Sequence, residues 1–456
     1  MGAHRRGATD VPRQVAPPEV RSHNFGALLQ LAMMTTLPDW LAFIERQHPS
    51  AIALGLDRVR AVAARMGLGK PAKKTVTVGG TNGKGSTVAF VEAIARAQGL
   101  RVGAYTSPHL LRYNERVRID GNDAEDASLV AGFEAVEAAR GDTPLTYFEY
   151  GTLCALWLFE RANLDLVVLE VGLGGRLDAV NLIDADAAVI TTVGLDHQDW
   201  LGDDVESIGH EKAGIARSFK PLVLGDIDPP ASVLRHAYAI GAPAWRFGSD
   251  FFAEPVDAAR WRWREVGYAL DLPLPMGGQA AAVQLRNAAC AIAALRALRL
   301  RLERGTLEQG VAQARVAGRL QRLDRDGVEV WVDVAHNPQA AEALAEWLRA
   351  QPHKRTLAVF GALSDKDAAG VVDALASAGV DAWYLAGLCE VGARGMDVDT
   401  LAARLQSTVA ADGHRFPEVA SALVAALADA RMGDRLLAFG SFHVASAALQ
   451  ELGHGG

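Results

Sequence analysis

Cysteine is scarce in this chain. The three present, Cys154, Cys290 and Cys389, lie far apart and form no CxxC spacing. That excludes a disulfide framework or zinc ribbon and favours a reducing compartment, the cytoplasm. No apolar run approaches the roughly 18 residues that a membrane-spanning helix needs. Basic residues are the minority, 46 Lys and Arg against 54 Asp and Glu, for a net charge of −8. This balance argues against a general nucleic-acid binder, yet leaves room for an anionic ligand in a local pocket. With 45 Gly and 18 Pro in 456 residues, neither a collagen-like nor a low-complexity chain is possible. There is no internal repeat.

What is present is a half-hydrophobic composition, long enough for two or three domains with substantial cores. Arg5 and Arg6 precede a short apolar stretch, Phe25 to Met34, a weakly signal-like arrangement. Pro12, Pro17 and Pro18 intervene and no AxA-like site follows, which argues against a secretion signal. Residues 1–34 are expected to be a disordered extension, or to precede the true start codon.

From Thr75 onward, short β-rich runs alternate with helical patterns. Strands are expected at Thr75–Val78, Val102–Tyr105, Leu164–Val171, Ala188–Val193 and Pro221–Leu224, with helices at Ser86–Gln98 and Leu153–Arg161. The apolar run Leu166-Val167-Val168-Leu169 suits a parallel strand covered on both faces. Trp245 to Pro275 reads as hairpins closing this first domain, and Arg315 to Arg325 as a basic loop. A second series of strands follows at Val328–Val334, Thr356–Phe360, Ala382–Leu385 and Arg435–Phe439. The fold class is therefore α/β, with a domain over 35–315 and a smaller Rossmann-like one over 316–456.

The sharpest motif is Gly79-Gly80-Thr81-Asn82-Gly83-Lys84-Gly85-Ser86-Thr87, between a strand and a helix. Its glycines free backbone N–H groups to face a phosphate chain at a helix N-terminus. Lys84 suits the β- and γ-phosphates, and the hydroxyl of Ser86 or Thr87 suits Mg²⁺. The first domain is thus P-loop ATPase-like, although Gly85 separates the lysine from Ser86. Glu170 ends an apolar strand where ligands of parallel sheets bind, and its carboxylate suits Mg²⁺; capping nearby backbone is the alternative. His197, in Leu195-Asp196-His197-Gln198-Asp199, suits a general base or a phosphate partner on chemistry alone.

Gly80-Thr81-Asn82-Gly83-Lys84-Gly85-Ser86 resembles the nucleotide loop of the Mur ligase superfamily, which joins an amine to a carboxylate with ATP. Further stretches narrow the resemblance: Thr106-Ser107-Pro108-His109-Leu110, Asn114-Glu115-Arg116, Leu145 to Thr152, Glu170 to Ala179, and Asp333-Val334-Ala335-His336-Asn337-Pro338. Together they are similar to the family of bifunctional dihydrofolate synthase/folylpolyglutamate synthases, from about Leu37 to near the C-terminus.

The resemblance implies an ATP-dependent ligase that adds L-glutamate to dihydropteroate and then extends reduced folates through an acyl phosphate. It implies a Mur-ligase-type ATP-binding domain and a glutamate-ligase domain. Magnesium is expected on Ser107, Glu170 and His197, with two Mg²⁺ sites and room for a monovalent cation. Lys212, in Gly209-His210-Glu211-Lys212-Ala213-Gly214, is expected to be carbamylated, which requires burial to lower its pKa; by sequence alone it reads as half of an exposed Glu–Lys pair. Lys84, His197 and Lys212 are the catalytic set that the resemblance implies. ATP is expected on Thr81, Asn82, Gly83, Lys84, Gly85, Ser86, Asn287, Arg319, Asp333 and His336. The pterin is expected on Ile52, Ala53, Leu54, Gly55, Thr146, Tyr147, Phe148, Glu149, Leu177, Asp178 and Ala179. The glutamate site is open between Ser364 to Asp367, Ser441 to His443 and His336. A cytoplasmic monomer acting on small molecules is the expectation, without nucleic-acid or membrane partners. A folylpolyglutamate synthase lacking the first activity, or a nucleotide-driven switch, are the alternatives.

Overall fold

The computed structural model describes residues 34–48, 52–275 and 281–453. Apart from Met34, the expected N-terminal extension lies outside the described residues. The first sheet holds β1 (Ala72–Gly79), β2 (Val102–Tyr105), β3 (Val117–Ile119), β4 (Asn122–Asp123), β5 (Leu164–Glu170), β6 (Ala187–Ile190), β7 (Leu222–Leu224) and β8 (Ala244–Arg246). Their order is β4-β3-β2-β5-β1-β6-β7-β8, parallel throughout except for the antiparallel edge formed by β3 and β4.

The physical reason is legible in β5. Val167 and Leu169 enter one apolar core while Leu166 and Val168 enter another, so both faces are covered. Helix Lys84–Ala97 lies over one face with helix Ala282–Ala297 against it. An antiparallel ribbon of β9 (Phe251–Pro255), β10 (Arg260–Glu265) and β11 (Tyr268–Pro273) closes that core. Trp263, fully buried, donates its indole N–H to Ala289 O at 3.2 Å.

The second sheet comprises β12 (Gln321–Arg325), β13 (Val328–Val332), β14 (Thr356–Phe360), β15 (Ala382–Ala386), β16 (His414–Phe416) and β17 (Arg435–Phe439), in the order β12-β13-β17-β14-β15-β16. It is parallel except for β12. Here the structure corrects the sequence reading: the end of the basic stretch Arg315 to Arg325 is strand β12, not loop. An edge strand keeps one flank in solvent, so Gln321-Arg322-Leu323-Asp324-Arg325 carries almost no hydrophobic signal. Helix Tyr147–Arg161 also starts six residues earlier than expected. Thr146 caps it and Glu149 closes a capping box, a T-x-x-E signature that was readable in the sequence.

Phe439, fully buried between Phe360 and Trp383, is the centre of the second core. Phe439→Ala is expected to cost about 3–5 kcal/mol by leaving a cavity, read as a lower urea midpoint with unchanged slope. Among the described residues no helix is long and apolar enough to cross a membrane.

Candidate active site

The C-terminal ends of the parallel strands open into one cavity of about 920 Å³ between the two sheets' loops. At one end lies the glycine-rich loop of residues 79–85, the expected phosphate loop. Gly80 and Gly83 both adopt positive φ, and a Cβ on Gly83 would fall 2.5 Å from Asn287 Oδ1. Only glycine fits this turn without strain. The loop leads directly into helix Lys84–Ala97, so its free N–H groups and the positive helix end face the cavity. Lys84 folds back, donating to Gly80 O (3.0 Å) and Thr81 O (3.1 Å). Burial lowers its pKa, opposed by the charges of Glu170 and Asp196.

Glu170 ends β5 beneath this lysine and accepts a hydrogen bond from Ser107 N at 3.0 Å. Burial raises its pKa and Lys84 opposes the rise. His197 adopts a left-handed φ of 53° on the same wall, and burial lowers its pKa to about 4. Its ring is therefore neutral at neutral pH, with a lone pair free to bind a cation. Among the described residues no three of His, Cys, Asp and Glu converge as a preformed cage. The Glu170 carboxylate, Ser107 hydroxyl and His197 imidazole still fit Mg²⁺, which takes few protein ligands and completes its shell with phosphate and water.

Lys212 also faces the cavity. Its neighbour Glu211 pairs outward with Arg176 at 2.8 Å, while Lys212 is buried and its pKa falls to about 7, through burial first and the Lys84 charge second. The exposed Glu–Lys pair suggested by sequence alone does not form.

The opposite end is aromatic. Phe148 tilts against Tyr105, Tyr147 meets Tyr113 edge-on, and Ile52, Ala53 and Leu54 complete the wall. Thr146, Glu149, Asp178 and Ala179 line it too, but both carboxylates already hold the chain. Glu149 accepts from Thr146 N (2.8 Å) and Arg58 (3.0 Å). Asp178 accepts from Leu173 N and Val180 N, and burial raises its pKa to about 7. Gly55 and Leu177 lie behind the wall, joined by Gly55 N–H to Leu177 O.

From the second sheet, Arg319 reaches the cavity with its guanidinium 5.2 Å from the Phe442 ring centroid. Asp333 does not line the cavity; it accepts from Leu320 N and Ala335 N, both at 2.8 Å, and so fixes the loop that carries Arg319. Ser86 and Asn287 are likewise outside the lining, and Asn287 supports Gly83 from beneath.

The sequence reading missed Asp196 as a joint between the two halves. It takes Lys366 Nζ at 2.5 Å and His336 Nε2 at 3.4 Å. Burial would raise its carboxyl, but the His336 hydrogen bond and the nearby cationic groups outweigh this and hold it well below the usual range. Asn82 and Asn337 exchange amide hydrogen bonds at 3.2 and 3.0 Å across the same gap. A carboxylate directly before a candidate ligand histidine was the available signal. Arg394, Ser441, Phe442 and His443 also line the cavity.

Two family models match: Mur ligase middle domain over residues 78–295, and Mur ligase glutamate ligase domain over residues 318–442. The chain is 47% identical to the dihydrofolate synthase/folylpolyglutamate synthase of Escherichia coli K12, over 89% of this chain and 93% of that protein. It is 39% identical to the Haemophilus influenzae protein of the same name, over 91% and 97%. The structure of E. coli FolC in complex with DHPP and ADP matches with a TM-score of 0.86 at 46% identity, covering 92% of this chain and 98% of that one. A bifunctional folylpolyglutamate synthase/dihydrofolate synthase with Mn, AMPPNP and L-glutamate bound matches with a TM-score of 0.84 at 44% identity, covering 92% and 98%.

Proposed function

Because the chain belongs to the dihydrofolate synthase/folylpolyglutamate synthases of the Mur ligase family, we propose that it joins L-glutamate to dihydropteroate and to reduced folates with ATP. One observation carries this reading. A single cavity joins a phosphate loop, a metal-compatible wall and an aromatic slot, and Arg319 enters it from the second sheet. FolC with DHPP and ADP, and the relative with Mn, AMPPNP and L-glutamate, support the same ligand classes.

A carboxylate resists attack by an amine until its oxygen becomes a good leaving group. Transfer of the ATP γ-phosphoryl gives an acyl phosphate; the glutamate amine attacks it, and the tetrahedral intermediate collapses to an amide, releasing phosphate. Lys84, the loop N–H groups and Arg319 hold the polyphosphate in line and offset charge as it transfers. Ser107, Glu170 and His197 would hold Mg²⁺, which would supply Lewis-acid charge when bound. The aromatic wall with Ile52, Ala53, Leu54 and Ala179 sandwiches the pteroyl body. Asp196, His336, Lys366 and the Asn82–Asn337 pair keep the two halves closed, which excludes water from the acyl phosphate. Asp333 acts through the Arg319 loop, and Asn287 through Gly83. The unit boundary near Arg315, a second Mg²⁺ and a monovalent cation belong to the same proposal.

ADP release measured with dihydropteroate, glutamate, both or neither tests the function. Release should require both; release indifferent to them would leave a nucleotide-driven switch. Loss of only the dihydropteroate reaction would leave a folylpolyglutamate synthase.

Carbamylation of Lys212 needs its neutral amine, and a pKa of about 7 makes that form abundant at neutral pH. Enzyme depleted of bicarbonate is expected to lose activity and to regain it on adding bicarbonate. At a fixed concentration of dissolved CO₂, recovery should be faster at pH 8 than at pH 6, because the neutral fraction of the amine rises with pH. Activity indifferent to bicarbonate at both pH values would remove the carbamate.

A further inference from the structure

Resting on the ligase reading above, we propose that Arg116 binds the carboxylate of the pteroyl substrate that does not react: the α-carboxylate of the terminal glutamyl residue of a reduced folate.

Arg116 closes the triplet Asn114-Glu115-Arg116, whose other members have structural work. Asn114 donates to Ala124 O and Asp126 Oδ1, both at 2.7 Å. Glu115 accepts from the N–H groups of Leu110, Leu111 and Arg112. Arg116 instead projects into the cavity wall, only 8% exposed. Its guanidinium carbon lies 5.3 Å from the Tyr113 ring centroid and 5.4 Å from that of Tyr147. Nε donates to His109 Nδ1 at 2.8 Å.

Three other cationic side chains near the cavity have their own carboxylates: Lys366 pairs with Asp196, Arg394 with Asp365, and Arg118, two residues further on, with Glu92 at 2.6 Å. Among the described residues, the lining arginines without a carboxylate in ion-pair reach are Arg319 and Arg116. Arg319 stands at the phosphate end, where the nucleotide answers it. Arg116 stands at the aromatic end, against Tyr147. A guanidinium buried without an anion is costly, and its planar fork fits a carboxylate through two parallel hydrogen bonds. Tyr113 and Tyr147 fix its plane.

The substrates' chemistry selects the anion. Dihydropteroate carries a single carboxylate, which reacts at the phosphate loop. A reduced folate carries two on its terminal glutamyl residue: the γ-carboxylate reacts, and the α-carboxylate needs a cation on the pteroyl side of the cavity. The incoming glutamate also has an α-carboxylate, so the test must separate these sources.

Wild type, Arg116→Lys and Arg116→Met are compared in the full chain with tetrahydrofolate, its α-carboxamide and dihydropteroate, alongside thermal melting. Wild type should lose about 10- to 100-fold in kcat/KM on the carboxamide. Arg116→Met should treat tetrahydrofolate and the carboxamide alike, and should lose at least tenfold more kcat/KM on tetrahydrofolate than on dihydropteroate. Arg116→Lys should fall between, since it keeps the charge and lacks the fork. Equal losses on tetrahydrofolate and dihydropteroate would reduce Arg116 to packing. A rise in KM confined to glutamate would make the amino acid its occupant. Calorimetric binding of tetrahydrofolate against its carboxamide gives the same discrimination without turnover. An enzyme that bound both but released no ADP would therefore overturn the ligase reading while still judging Arg116.

Discussion

Lys84→Ala is expected to lower turnover about ten-thousandfold, because the transferring phosphoryl group loses its positioned cation. Helix Lys84–Ala97 begins at this residue, and alanine is a strong helix former, so the local fold should persist. The variant also removes an ammonium whose burial is unfavourable, as its lowered pKa records. The melting temperature should therefore not fall while ADP release collapses. Single-turnover measurement with dihydropteroate, ATP and glutamate decides it. A wild-type rate in a folded Lys84→Ala protein would remove the phosphate-loop mechanism.

Glu170→Gln should cost about a thousandfold in kcat/KM through lost charge on the metal-compatible wall. The amide keeps an acceptor for Ser107 N, which Glu170 now supplies at 3.0 Å. It also removes a carboxylate whose pKa burial raises, so the fold is not the casualty. The distinguishing measurement is a Mg²⁺ or Mn²⁺ titration of activity: the half-saturating concentration should rise steeply in the variant. An unchanged metal dependence would return Glu170 to the simple role of capping the Ser107 backbone.

Motifs whose function is local were legible. The glycines of residues 79–85 need a turn at positive φ, and that requirement shows in the residue types themselves. The same holds for β5, where the apolar run Leu166-Val167-Val168-Leu169 suits a strand covered on both faces, as found. Thr146-x-x-Glu149 was equally local, yet its capping role appears once the helix start is seen. Edge strands such as β12 and β16 were not legible, because a half-solvated strand need not be apolar.

Side-chain direction was the other hidden quantity. Glu211 and Lys212 are neighbours of opposite charge, and only the packing of helix Val205–Ala213 sends one to Arg176 and the other into the cavity. Asn287 and Asp333 belong to motifs that point to ATP, but the fold sets them behind Gly83 and Leu320 as supports. Asp196, Lys366 and His336 are separated by up to 170 positions in sequence and meet at one carboxylate.

By itself, the sequence determined the α/β class, the glycine-rich strand-to-helix turn, the strand-end glutamate and the family, since each rests on residue type within a short window. The tertiary structure alone decided which carboxylates were already occupied, that burial lowers the pKa of Lys212, and that among the described residues Arg116 faced the cavity without a counter-ion. Those properties depend on what surrounds a side chain from distant parts of the chain, and burial and charge pairing are set by that surrounding, not by the neighbours in sequence.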